Sequence, residues 1–244
     1  MSEPATGRYT VRFASDAADV RSAQQLRHRC FRGGDGLDAD AFDSLCKHVL
    51  VEETRTGRLV CTYRLMPLAN GGAVGRSYSA QYYDLSALHD IRGEIVEMGR
   101  FCIAPDCKDP DILRVAWAEL TRYVDTHNVE LLFGCSSFTG TEADAYTDAF
   151  ALLKDRHLAP EQRLPKVKAP RVFRFAARLR LKKPDLKQAR LRMPPLLRTY
   201  LAMGGWVSDH AVVDNDLNTL HVFTGLEINA IPASRKRLLR AVAG

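Results

Sequence analysis

The 244-residue sequence predicts an α/β fold, a mixed sheet covered by helices. Two observations carry this. Segments with period-2 alternation take turns with segments of 3.6-residue apolar spacing along most of the chain. One apolar run, 129–138, reads as a strand buried on both faces. The sequence contains no internal repeat and no low-complexity linker, so one domain spanning 1–244 is expected, with a basic C-terminal part from about residue 160 packed on it.

The elements follow in order. Residues 9–13 alternate like an edge strand, and 17–31 carry helical spacing through Val20, Ala23, Leu26 and Arg27. A polar loop, GGDGLDADAFDS, separates them from a hairpin of 48–53 and 58–66, closed by Thr56-Gly57. Residues 82–88 read as a short helix and 95–103 as a strand. Asp109-Pro110 opens the next helix with a capping side chain and proline in the first turn, and His127-Asn128 ends it. After the buried strand, 142–156 read as helix. Residues 172–181 alternate, with Phe173, Phe175, Ala177, Leu179 and Leu181 on one face and Arg174, Arg178 and Arg180 on the other, which predicts a strand. A helix at 194–203 and strands at 207–213 and 219–226 close the chain.

Composition narrows the function. No run approaches the roughly 18 apolar residues of a spanning helix, and the N-terminal MSEPATGRYTVRF lacks the basic start and apolar core of a signal peptide. Six cysteines show no regular spacing and no CxxC pair, as reduced thiols of a cytoplasmic protein do. The formal charge of +6 is unevenly spread: residues 163–198 hold thirteen Lys or Arg against Asp185 alone, which makes that segment +12 and the remainder −6. A basic block on an acidic protein suits an anionic partner, whether carrier protein or membrane face. No helix-turn-helix, RNP-type or zinc-finger signature points to nucleic acid, and no glycine-rich nucleotide-binding element is present.

Glu97 and Arg100 are the candidate catalytic residues. They stand three apart on an expected strand and would face opposite sides of it unless Gly99 permits a bulge that turns both toward one cleft. Such a bulge would also free backbone N–H groups for a thioester oxygen. Asp38, Asp40 and Asp43, with Arg27 before them and Arg64 after, either hold an amino acid by its charged groups or form an ion-pair latch that orders the loop. The calcium-hand spacing is missing, as are the usual zinc gaps around His28, Cys30, Cys46 and His48, so no metal is expected. Ser136 and Ser137 lie in FGCSSF rather than a nucleophile elbow, and are expected to line a channel between diverging strands.

The run Asp38-x-Asp40-x-x-Asp43, then Thr62-Tyr63-Arg64, then Glu97-x-x-Arg100, resembles the acyl-homoserine-lactone synthases, which are GNAT-like acyltransferases. Over nearly the whole length the chain is more similar still to the L-ornithine Nα-acyltransferases of ornithine-lipid synthesis. The stretches that carry the likeness include FDSLCKHVLV, CTYRL, YYDLSAL, EMGRFCI, LLFGCSSFTGT and MPPLLRTYLAMGGWVSDHAVVD. Cys61 and Phe101 depart from the glycine and serine usual in that family.

The resemblance implies a mixed, mostly antiparallel GNAT-like sheet and no bound cofactor. It implies a 3-hydroxyacyl donor carried on the 4'-phosphopantetheine of acyl carrier protein, an amino-acid acceptor, and a lyso-aminolipid product. Glu97 would take the proton of the acceptor amine, and Arg100 would orient it or the acceptor carboxylate. Arg27, Asp38, Asp40, Asp43, Arg64, Phe101, Ser136 and Ser137 would bind substrate, while Arg174, Arg178, Arg180, Lys182 and Lys183 would dock carrier protein or the inner face of the membrane. Glutamine as acceptor, a lactone-type synthase and a non-catalytic membrane-binding protein are the alternatives.

Overall fold

A computed structural model describes residues 7–232 together with 236 and 237. The described chain forms two compact units, one from residues up to 67 with 98–128, the other from 68–97 with 129–232.

In the first unit, strand β1 (Tyr9–Phe13) pairs antiparallel with β2 (Lys47–Glu53), and β2 with β3 (Leu59–Leu68). The β2–β3 turn places Gly57 at φ 69°, a left-handed position that suits glycine. The outer half of β5 (Ile95–Ile103) follows β3 in the order β1-β2-β3-β5. Helix α1 (Ala17–Phe31) is capped by Asp16, whose side chain accepts from Asp19 N, and buries Leu26 against Cys102 and Ala104. Helix α2 (Pro110–Thr126) begins as its sequence dictates, with Asp109 accepting from Asp111 N and proline in the first turn. It stops where Asn128 turns left-handed at φ 50°. Its buried stripe runs through Ile112, Ala116, Leu120, Tyr123 and Val124. Tyr63 of β3 donates its hydroxyl to the Ala116 carbonyl at 3.0 Å.

In the second unit, Ile95–Glu97 of β5 pair in parallel with β6 (Leu131–Thr139), register Glu97↔Phe133. Strand β10 (Thr219–Glu227) runs antiparallel to β6 and to β9 (Trp206–Asp214). The short β8 (Val172–Phe173) pairs antiparallel with β9 beyond them. A two-stranded ribbon joins β4 (Tyr83–Asp84) to β7 (Lys166–Val167). Helices α3 (Thr147–Arg156), α4 (Phe175–Arg178), α5 (Leu186–Arg192) and α6 (Pro195–Ala202) share one core with the sheet: Phe150, Phe175, Ala189 and Leu197 pack with Phe138, Val207, Ala211 and Val222.

Three expected elements differ. Residues 82–88 form the β4 bridge and a 3-10 turn at Ser86–Leu88, because Tyr83 pairs with Val167 and its ring is buried between His210, His221 and Phe223. The helix expected from 142 starts as a 3-10 turn at Ala143–Tyr146 and becomes α-helical at Thr147. The alternation at 172–181 is strand only at Val172–Phe173. Phe175 then turns into the core as α4 begins, stacking 5.1 Å from Phe150, while Leu181 stands outside. Burial of one aromatic side chain outweighs the weak β propensity of an arginine-rich stretch.

Candidate active site

Glu97 is 4% exposed and is gripped by a single turn of the second unit. Its Oε2 accepts from Tyr78 N at 2.7 Å; its Oε1 accepts from Ser79 N at 2.7 Å and from the Ser79 hydroxyl at 2.5 Å. The turn is shaped by Ser77, whose Oγ accepts from Ala80 N at 3.2 Å. An ionised carboxylate only accepts, so three converging donors fix both its oxygens in place. With its single proton given to Glu97, Ser79 Oγ is an acceptor for the Cys135 thiol of β6, 3.4 Å away. The result is a buried carboxylate of fixed geometry, which is the form a positioned proton acceptor takes.

The first unit gathers the other charged candidates. Arg27, 1% exposed, donates Nε to Asp38 Oδ2 at 2.9 Å and Nη1 to Asp43 Oδ1 at 2.8 Å, and its Nη2 meets the Asp38 carbonyl. Arg64 forks onto both Asp40 oxygens at 2.6 and 2.8 Å and reaches Asp43 Oδ1 at 2.7 Å. Arg100 Nε lies 3.0 Å from Asp38 Oδ2, and its Nη2 is 3.1 Å from Asp40 Oδ2. Gln24 adds a bond to Asp43.

Arg27, Arg64 and Arg100, with Arg32 3.8 Å from Asp38, thus meet three aspartates in one largely buried cluster, a geometry that suits a latch ordering the 38–43 loop. Burial pushes the Asp43 carboxyl up, but the bonds and charge of Arg27, with Gln24 and Arg64, outweigh it and hold it well below the usual carboxylate range. Asp40 is likewise lowered, burial being overcome by Arg64 and Arg100. His48 is buried with Nε2 3.0 Å from the Asp43 carbonyl. Burial lowers its pKa, and its ring braces the loop.

The kink in β5 is real but sits one residue later than expected. Arg100, not Gly99, has the left-handed backbone, at φ 54°. A non-glycine residue there costs of order 1 kcal/mol or more, and the two ion pairs of its guanidinium hold it. Glu97 and Arg100 are therefore anchored separately: the carboxylate by the 78–79 turn, the guanidinium by Asp38 and Asp40.

The remaining candidates are spread. Phe101 stacks on Tyr63, ring centroids 5.6 Å apart at 25°. Ser136 is buried and its Oγ accepts from the Thr224 hydroxyl at 2.9 Å, while Ser137, the next residue on β6, is exposed. Arg174, Arg178, Arg180, Lys182 and Lys183 are all exposed. Among the described residues, no group of three or more His, Cys, Asp or Glu is arranged to hold a metal ion.

Tyr78 and Ser79 are the site residues that sequence reasoning missed. Two of the three bonds come from backbone N–H groups, which every residue type but proline supplies. The only trace in the sequence is the serine-rich turn SYSAQ itself.

The fold is that of a GNAT-like acyltransferase, and the comparisons define the class. The acetyltransferase (GNAT) domain family matches residues 24–118. The fold is that of a CoA-dependent acyl-homoserine lactone synthase (TM-score 0.52, 13% identity, 97% of this chain and 90% of that one). It is also that of an N-acyl amino acid synthase from uncultured soil microbes (TM-score 0.51, 9% identity, 97% of each). An L-ornithine Nα-acyltransferase of Rhodobacter capsulatus is 34% identical over 91% of each chain. One of Brucella abortus is 30% identical over 92% of this chain and 86% of its own. The chain belongs to the L-ornithine Nα-acyltransferase family.

Proposed function

We propose that this protein transfers a 3-hydroxyacyl chain from acyl carrier protein to the α-amino group of L-ornithine, giving a lyso-ornithine lipid. The observation that carries the reading is the identity of 34%, along 91% of both chains, with an L-ornithine Nα-acyltransferase. A free α-amine has a pKa of about 8 and is mostly protonated at neutral pH, so it must lose a proton to react. Glu97, directly or through water, takes that proton as the amine nitrogen attacks the thioester carbonyl. The C–N bond forms, the C–S bond breaks, and the nitrogen's second proton passes to the leaving phosphopantetheine sulfur, which departs as the free thiol. A thioester is already activated, so no acyl-enzyme is needed.

In this reading the three donors on Glu97 keep the carboxylate from swinging between substrate and solvent, so its position costs nothing at the moment of reaction. Arg100, with Arg27, Arg64, Asp38, Asp40 and Asp43, orders the loop that serves the acceptor, and Ser137, exposed on β6 where Ser136 turns inward, serves the acyl donor. The exposed Arg174, Arg178, Arg180, Lys182 and Lys183 meet the acidic carrier or the membrane's inner face. The protein works on the cytoplasmic side as a peripheral enzyme; none of the described helices is long and apolar enough to cross a membrane.

Purified protein supplied with 3-hydroxyacyl carrier protein and ornithine, read by mass spectrometry, tests this. The expected product is Nα-acyl-ornithine with stoichiometric release of carrier thiol. Exclusive acylation of glutamine would replace the acceptor, use of acyl-CoA alone would replace the donor, and no product from either donor would end the proposal.

A further inference from the structure

Two leucines of the basic segment stand in solvent while the chain around them is anchored. Among the described residues, Leu181 is 84% exposed and Leu191 is 72% exposed, well beyond the next large apolar residue, Leu45 at 47%. Neither is on a loose excursion. The Lys154 ammonium, on α3, donates to the carbonyls of Leu179 at 2.8 Å and Lys182 at 3.0 Å, which clamps the turn that presents Leu181. Asp185 accepts from Lys187 N and Gln188 N to start α5, and its own N–H is held by Asp148 at 3.0 Å. The inward side of α5 then buries Ala189 in the core, followed by Met193 just past its end, which leaves Leu191 outward, four residues from Lys187. Exposed cations flank both leucines along the chain: Arg178, Arg180, Lys182, which also reaches Asp148 at 3.4 Å, Lys183, Arg190 and Arg192.

We infer that Leu181 and Leu191 are insertion anchors, by which this face of the second unit seats on an anionic lipid bilayer. Positive charge by itself would suit an acidic carrier protein equally. The leucines decide the matter, because two aliphatic side chains held outward on clamped backbone, within a stretch rich in exposed cations, match hydrocarbon beneath acidic headgroups. The long Lys and Arg stems lie along that boundary with their charges at headgroup level. A protein that releases an acylated amino acid has reason to sit there, since the acyl chain partitions into the same layer. To that extent the inference rests on the acyltransferase reading, but the binding itself needs no turnover.

The test is co-sedimentation of the full-length protein with phosphatidylglycerol-containing vesicles and with pure phosphatidylcholine vesicles, beside acyl transfer without lipid. The parent is expected to bind only the anionic vesicles. Leu181→Ser with Leu191→Ser is expected to weaken that binding by about tenfold or more, with unchanged melting and unchanged turnover of carrier-bound substrate in solution. Lys182→Glu with Lys183→Glu is expected to weaken it mainly at low salt. If the leucine pair binds vesicles like the parent, or its KM for acyl carrier protein rises while vesicle binding holds, the anchors are overturned. A parent that turns over but ignores vesicles refutes the inference alone, and one that binds vesicles but makes no product refutes the function alone.

Discussion

Removing the Glu97 carboxylate tests the clamp and the chemistry at once, and the two must be separated by choice of substitution. In Glu97→Ala, the fully buried Ser79 loses the partner of its N–H and its hydroxyl, and Tyr78 loses the partner of its N–H. Each buried donor left without an acceptor costs about 1–3 kcal/mol. The buried charge no longer has to be desolvated, which offsets part of this, so a net loss of about 2–5 kcal/mol is expected. At roughly 2–4 °C per kcal/mol for a chain of this size, Tm falls by about 4–20 °C. Lost activity in that variant would therefore mix two causes.

Glu97→Gln is the cleaner probe. It keeps the volume and one oxygen, which can still face Ser79, and sets an amide N–H only against Tyr78 N. The expected cost is about 1–3 kcal/mol. An amide cannot take a proton at neutral pH, so kcat should fall by about 10²–10⁴. Thermal melting followed by far-UV circular dichroism reads the first quantity, and thiol release from acyl carrier protein reads the second. If Glu97→Ala melts with the parent, the clamp contributes nothing. If Glu97→Gln turns over at the parent rate, Glu97 is not the base.

Arg27→Met should cost about 3–5 kcal/mol in urea unfolding, because it leaves Asp38 and Asp43 buried with one cation fewer; a loss below about 1 kcal/mol would mean Arg64 and Arg100 suffice. His221 is pushed down to about 4 by burial and by neighbouring His210. The unfolded chain therefore takes up that proton first. The stability this contributes is intact above about pH 6.5 and is lost as the pH falls toward 4, about 3 kcal/mol in all. His221→Gln should flatten the pH dependence of unfolding in that window, and an unchanged slope would assign it elsewhere. Phe101→Ser removes the stack on Tyr63 and should shift the ratio of ornithine to glutamine acylation in a competition assay; an unmoved ratio would place Phe101 outside the acceptor pocket.

Elements whose signals are local were legible from residue order. Asp109-Pro110 starts α2, Asn128 stops it, and the alternation at 9–13 and 95–103 marks β1 and β5, because caps and periodicity act within a turn or two of chain. The sequence also brought Asp38, Asp40, Asp43, Arg27 and Arg64 to notice as one charged set, since residue type alone declares charge. Tertiary structure decided everything that depends on distant partners. Which arginine grips which aspartate, why the left-handed residue is Arg100 rather than Gly99, and why 172–181 breaks after Phe173 all follow from contacts outside the local window. The Ser79 turn on Glu97 is the sharpest case: backbone N–H groups carry no residue identity, so only the folded chain could bring them there.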